Sequence, residues 1–404
     1  MRLLICLLFM GMLATGAAQP YRFDNKLFTN IFPEDLCDAF TKNPGYVIID
    51  VRSPGEYADT SGFDGANIGR LKGALNIPVG ELPKRWKELD AYKDKAVFLY
   101  CSHSQRSRRA SKLLSDSGFS RVFNINGGMS RILSEKNKKE YCLSDIYTSG
   151  LPYRWLTAKT VMENSIEKNP FFIIDTRADS AYKGIASAEA LNHLGKIKGA
   201  THIPADQIMG SLKKIPRDKP LLLIDAFGED VTKTARLLVE QGYSEVNILY
   251  GGLEDWIEAT LFYSIPTVIR HQSNSPFKMA GPEQAVALIN DDNSLIIDIR
   301  KTEVFENKSP DSWENIGHLK KAVNVPAKQW EDGHLMADKK KPILIYSIAM
   351  NDEVFETALL IRKLGFKNIY ILHGGLWGFR RNANNLKGKM DWNELVVDVP
   401  EANK

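Results

Sequence analysis

The stretch Ala96-Val97-Phe98-Leu99-Tyr100-Cys101-Ser102-His103-Ser104-Gln105-Arg106-Ser107 reads as a short, wholly apolar strand that delivers a cysteine into a polar loop, followed by a basic helix. An all-apolar strand of this length is buried on both faces, as in a parallel sheet with helices on either side. In such sheets ligands bind beyond the carboxyl ends of the strands, where Cys101 falls. Helix-start amides and Arg106 would stabilise a thiolate and any anion bound to it.

The same arrangement recurs twice downstream, with Asp225 and then Ser347 in place of Cys101. Further landmarks keep the same order in each copy. An apolar strand ends in Asp-X-Arg at Asp50/Arg52, Asp175/Arg177 and Asp298/Arg300. A small-residue turn precedes a short strand at Gly73-Ala74, Gly199-Ala200 and Lys321-Ala322, and a last strand runs into Gly127-Gly128, Gly251-Gly252 and Gly374-Gly375. Copies spaced by about 124 residues are domain-sized. The boundaries predicted are 28–140, 155–262 and 277–390, with Glu135 to Tyr153 and Leu261 to Pro276 as linkers. Because Asp-X-Arg and the paired glycines persist in copies without a thiol, they follow the fold and not the chemistry.

The 404 residues are 44% apolar and 25% charged, an ordinary globular balance, and a formal charge of +4 on so long a chain does not point to nucleic acid. Arg2, the apolar run Leu3 to Leu13, and the small residues Ala14, Gly16, Ala17 and Ala18 have the layout of a secretory signal over residues 1–18. The expected protein is exported, to the periplasm or the medium, and not held in a membrane after cleavage. Cleavage leaves Cys37, Cys101 and Cys142. Cys37 and Cys142 flank the first domain's core, where they would pair and leave Cys101 free; the alternative, two separate buried thiols, is the commoner state of cysteine. With no Cys-X-X-Cys, His-Glu-X-X-His or Gly-X-Gly-X-X-Gly after the first strand, neither a metal nor another cofactor is expected.

In this order and three times over, the landmarks resemble the rhodanese family. The resemblance implies an α/β fold of three tandem domains, each a mainly parallel sheet flanked by helices on both faces. It also implies a loop of the form Cys-X-X-Gly-X-Arg-Ser/Ala, matched by Cys101 to Ser107 except that Ser104 replaces glycine, where glycine permits a positive φ or a close backbone approach. The chemistry implied is sulfur transfer. Cys101 takes the outer sulfur of thiosulfate or a similar small anion as a persulfide, and a thiol, cyanide-like or protein acceptor removes it. The loop residues Ser102, His103, Ser104, Gln105, Arg106 and Ser107 form the expected substrate-binding ring, with Arg106 binding the anion and orienting the loop. His103 is either an acid or base, or an exposed polar residue that tunes entry of the acceptor.

At the position of Arg106 the later copies carry Asp230, preceded by Glu229, and Asp352, followed by Glu353. Lacking both thiol and guanidinium, Asp225/Asp230 and Ser347/Asp352 mark sites expected to be inactive. Two rival readings remain on sequence. A cysteine phosphatase or arsenate reductase also holds an anion between strand and helix, but it needs five residues between cysteine and arginine where this loop has four. A non-catalytic scaffold or sulfur-carrier partner would explain two lost sites, against the retained Cys101 and Arg106.

Overall fold

The computed structural model describes residues 27–135, 142–228, 230–330, 338–385 and 392–400. The segment expected to be a signal, 1–18, lies outside the described residues, as does Glu229. Three five-stranded, all-parallel sheets follow one another along the chain. The first has the order Thr29–Ile31, Arg121–Ile125, Ala96–Tyr100, Val47–Asp50, Leu75–Asn76. The others repeat it, with Leu221–Ile224 and Ile343–Tyr346 in the central place of Ala96–Tyr100. Among the described residues, no helix is long and apolar enough to cross a membrane.

The strands form where aliphatic and aromatic residues run uninterrupted, because covering both sheet faces with helices removes any need for polar alternation. All five residues of Ala96–Tyr100 are buried, and Val47 to Asp50 pair in register with Val97 to Tyr100. The amphipathic helix Gln105–Asp116 follows, burying Ala110 and Leu114 against Val97 and Leu99.

Asp-X-Arg is the brace that the repeats suggested. Arg52 and Asp50 are both wholly buried, the guanidinium donates to the carboxylate at 2.7 Å, and its Nη2 also reaches the Gly69 carbonyl at 2.7 Å. Arg177 and Arg300 repeat this with the carbonyls of Gly195 and Gly317. The second hydrogen bond from Nη2 ties the strand end to the turn seventeen or eighteen residues on in every copy.

Two expectations need refinement. The segments read as linkers fold back, as Tyr147–Thr148 pairs antiparallel with Arg70–Leu71 and His271–Gln272 with Lys196–Ile197. Of the two alternatives for Cys37 and Cys142, the structure has the disulfide, with Cα atoms 5.6 Å apart. Separate buried thiols, the commoner state, are not what it shows. The crosslink fastens the helix Leu36–Lys42 to the segment that leaves the first domain, closing a loop of 105 residues.

Candidate active site

Cys101 lies at the carboxyl end of the central strand, 1% exposed, as the free cysteine of the described residues. Ser107 Oγ stands 3.7 Å from its sulfur, and also 2.6 Å from Asn124 Oδ1 and 3.1 Å from the Ser104 carbonyl. A hydroxyl is thus within donating reach of the sulfur. The amides of the first helical turn have no partner within the helix, and this helix start has no side-chain cap, so they are available to a negative group in the loop.

Ser104 has φ +84°, the left-handed conformation for which the family's glycine is suited. That backbone costs a non-glycine residue on the order of 1 kcal/mol. The hydroxyl offsets the cost. It donates to Asn126 Oδ1 at 3.1 Å and accepts from the Gly127 amide, so the substituted residue fastens the loop to the neighbouring turn. The paired glycines do more than turn the chain. A Cβ on Gly128 would stand 2.2 Å from the Cys101 carbonyl, and the amides of Met129 and Ser130 donate to the carbonyls of Cys101 and Ser102. Gly252 and Gly375 press on the loops of Asp225 and Ser347 in the same way, where a Cβ would stand 2.6 Å from the Phe227 amide and 2.7 Å from the Ala349 Cα.

Sequence reasoning missed Glu56. Arg106 grips its carboxylate with two hydrogen bonds of 2.7 Å and donates to Ser102 Oγ at 2.9 Å. Burial works to raise the Glu56 carboxyl, yet the bonds from Arg106 and from the Ser53 amide outweigh it and hold the group at about 2. Arg106 was expected to bind an anionic donor and to orient the loop. Its contacts with Glu56 and Ser102 orient the loop, and Glu56 first, with the Cys101 sulfur after it, raises the guanidinium above its ordinary value. The available signal was Ser53-Pro54-Gly55-Glu56, which forms a capping box at the helix Pro54–Ala58. The same register carries Ala181 in the second copy and Val304 in the third. Glutamate and arginine are therefore lost together.

His103 and Gln105 are exposed. His103 lines a cavity of about 520 Å³ with Ser130 and Arg131, with Phe227, Tyr250 and Asp255 of the second domain, and with Arg381 of the third.

The later loops dispose of their helix-start amides in two different ways. Asp225 folds its carboxylate back to accept from the amides of Gly228 and Asp230, the latter at 3.0 Å. Gly228, in register with Ser104, has φ +79°, so the two loops share their left-handed turn. Burial raises the Asp225 carboxyl while the amides oppose the rise. In the third domain Asn351 caps the helix through the Val354 amide at 3.2 Å, and Ser347 is buried.

The rhodanese-like domain model matches residues 33–135, 157–259 and 281–382. The chain belongs to the rhodanese-like domain family. A relative in Bacillus subtilis, the uncharacterized protein YqhL, is 32% identical over 111 residues, covering 28% of this chain and 77% of that protein. The tRNA uridine(34) hydroxylase of Cronobacter sakazakii is 32% identical over 96 residues, or 23% of this chain, which spans only a quarter of that enzyme. Among solved structures, the thiosulfate sulfurtransferase of Pseudomonas aeruginosa aligns over 92% of this chain and 70% of its own at 14% identity, with a TM-score of 0.23. Membership of the rhodanese-like family supports a sulfurtransferase-like enzyme in general, with a sulfur donor and a thiol acceptor as its partners.

Proposed function

We propose that the first domain is the catalytic one and that Cys101 carries a sulfane sulfur from thiosulfate, or a similar small anion, to a thiophilic acceptor. The Cys101 thiolate attacks the outer sulfur of the donor. The bond between that sulfur and the sulfonate sulfur breaks, sulfite departs with the electron pair, and Cys101 holds a persulfide anion. A thiolate or cyanide then attacks the terminal sulfur, and the Cys101 thiolate is released. Atoms and electrons balance without a cofactor.

The observation that carries this reading is the fate of the loop amides. In the second domain they close on a carboxylate supplied by the chain itself, which supports an anion as the natural occupant of the same loop in the first domain. There the buried sulfur lies at the strand end with the Ser107 hydroxyl beside it. Glu56 and Arg106 hold the loop open in this reading, and domains lacking both are silent. Four residues between Cys101 and Arg106 favour sulfur over a tetrahedral oxyanion. Export is part of the proposal, supported by the signal-like run in 1–18 and by the Cys37–Cys142 disulfide, which suits an oxidising compartment.

The test is mass spectrometry of the purified protein after thiosulfate treatment. An added mass of about 32 Da, one sulfur atom, is expected on the peptide containing Cys101. An unmodified Cys101 under conditions in which the protein stays folded overturns the reading, as does phosphate-ester hydrolysis faster than sulfur transfer.

A further inference from the structure

In every copy the glycine pair runs into a helix, Gly128–Glu135, Gly252–Phe262 and Gly375–Asn385, and the three helices converge on one space. Two, three and six residues after the second glycine, Ser130, Arg131 and Ser134 of the first helix and Glu254, Asp255 and Glu258 of the second line the cavity of about 520 Å³ beside His103, and the third helix adds Arg381. Direct bonds between the domains fix this arrangement. Thr232 Oγ1 donates to Asp64 at 2.7 Å, and Asp352 accepts from the Ala190 amide at 2.8 Å. The loop that carries Cys101 belongs to the wall, since His103 lines the cavity and the Ser130 amide donates to the Ser102 carbonyl at 3.1 Å.

The cations along the cavity already have partners. Arg131 binds Glu34, Lys159 donates to Glu135 at 2.7 Å, and Arg381 stands 3.8 Å from Glu258 and over the Trp377 ring. Glu258 also accepts from Asn382 at 2.7 Å. Among the described residues, the Asp255 carboxyl has neither a hydrogen bond nor an ion pair and feels Arg381 only through space. Burial first, and then the charge of Glu258, push it up to about 8. A carboxyl raised in this way is short of positive charge.

The same cavity is aromatic. Phe63 of the first domain is 54% exposed and Phe227 of the second is 41% exposed, and Phe227 holds in the inactive loop the register that His103 holds in the first. Tyr250 and Phe262 line the space as well, whereas the Tyr263 ring is taken by Lys159 at 5.3 Å. Ring faces attract cations, so open rings beside a carboxyl that no side chain answers suit a positively charged organic group. The volume suits a small molecule.

We infer that this cavity binds the sulfur acceptor and that the acceptor is a small thiol carrying an organic cation, its charge against Asp255 and Phe227 and its thiol toward the Cys101 loop. The thiol rests on the sulfur-transfer reading; the charge rests on the cavity alone. The acceptor thiolate attacks the terminal sulfur of the Cys101 persulfide, the bond to the Cys101 sulfur breaks, Cys101 leaves as a thiolate with the electron pair, and the acceptor departs as a persulfide. The second domain, its own thiol replaced, then selects the molecule to which the first domain gives its sulfur.

Two measurements on the full chain test it, and the first needs no sulfur chemistry. In calorimetric titrations 2-phenylethylamine should bind, and 3-phenylpropionate, similar in shape but opposite in charge, should bind about tenfold more weakly or worse. Asp255→Asn should remove most of that preference, and Phe227→Ala should weaken the amine severalfold, with circular dichroism checking that both variants fold. Equal binding of the two probes, or a preference that survives both substitutions, overturns the inference. In the second measurement the protein loaded with thiosulfate is mixed with cysteamine or with 3-mercaptopropionate, and loss of the added mass of about 32 Da is followed. Cysteamine should discharge it about tenfold faster, 2-phenylethylamine should slow that discharge, and Asp255→Asn should bring the two rates together. Equal discharge by the two thiols in the unaltered chain overturns the inference. Absence of any adduct is instead the failure of the sulfur-transfer reading, and the amine titration then decides the cavity by itself.

Discussion

The loops at Cys101 and Asp225 have the same backbone and opposite contents. Both leave an apolar central strand, both pass through a left-handed residue, and both are pressed by a glycine pair from the neighbouring turn. One ends its strand in a buried sulfur, whereas the other turns a carboxylate back onto the amides of Gly228 and Asp230. The difference teaches that losing the thiol was only one part of the change. The amides were satisfied internally, and Glu56 and Arg106 were replaced by Ala181 and Asp230. A loop can therefore keep its backbone while its amides are taken up by the chain itself.

Removing the sulfur breaks the comparison most completely. Cys101→Ser should abolish the thiosulfate-dependent mass increase and all sulfur transfer, measured as thiocyanate formed from cyanide. Rebuilding the second loop sharpens it. Asp225→Cys alone should acquire no persulfide in a Cys101→Ser background, because Asp230 still repels an anion. Adding Asp230→Arg and Ala181→Glu should produce a detectable adduct on the new cysteine. Failure of this triple change would show that the loop frame itself differs.

Breaking the clamp comes next. Glu56→Gln leaves the Arg106 charge without its carboxylate, and turnover should fall on the order of tenfold to a hundredfold through misplacement of the loop. The same pair sets an acid limit. The folded Glu56 value of about 2 lies below its ordinary 4.5, so the stability it contributes is fully present above about pH 4.5 and is lost as pH falls toward 2. Arg106 is about one-third exposed, which screens the pair, and the loss should amount to about 1–2 kcal/mol in denaturant unfolding. Glu56→Gln should flatten that part of the pH profile.

The smallest effects concern Ser104. Ser104→Ala keeps the left-handed backbone and loses both hydroxyl contacts, so it should destabilise the protein by about 1–2 kcal/mol. Ser104→Gly removes the same contacts but also the backbone cost, and its melting temperature should stay closer to that of the native chain.

Much of this molecule is legible in order along the chain. Ala96 to Tyr100 announces a buried parallel strand by its unbroken apolar run, and the repeated Asp-X-Arg and glycine pairs count three copies of one fold. Cys101 stands out because its two counterparts differ from it. Glu56 was hidden: fifty residues separate it from Arg106, and its local pattern is fully explained as a helix cap. The Cys37–Cys142 bond remained one of two alternatives, since flanking a core does not fix the distance between two side chains.

By itself, then, the sequence determined the repeat, the strand and helix periods and the one copy whose loop carries a cysteine, because these depend on residues close together in the chain. Tertiary structure decided which charges meet, which amides Asp225 occupies and which edges join domain to domain. Such pairings unite distant residues, and only packing of the sheets brings their atoms within bonding reach.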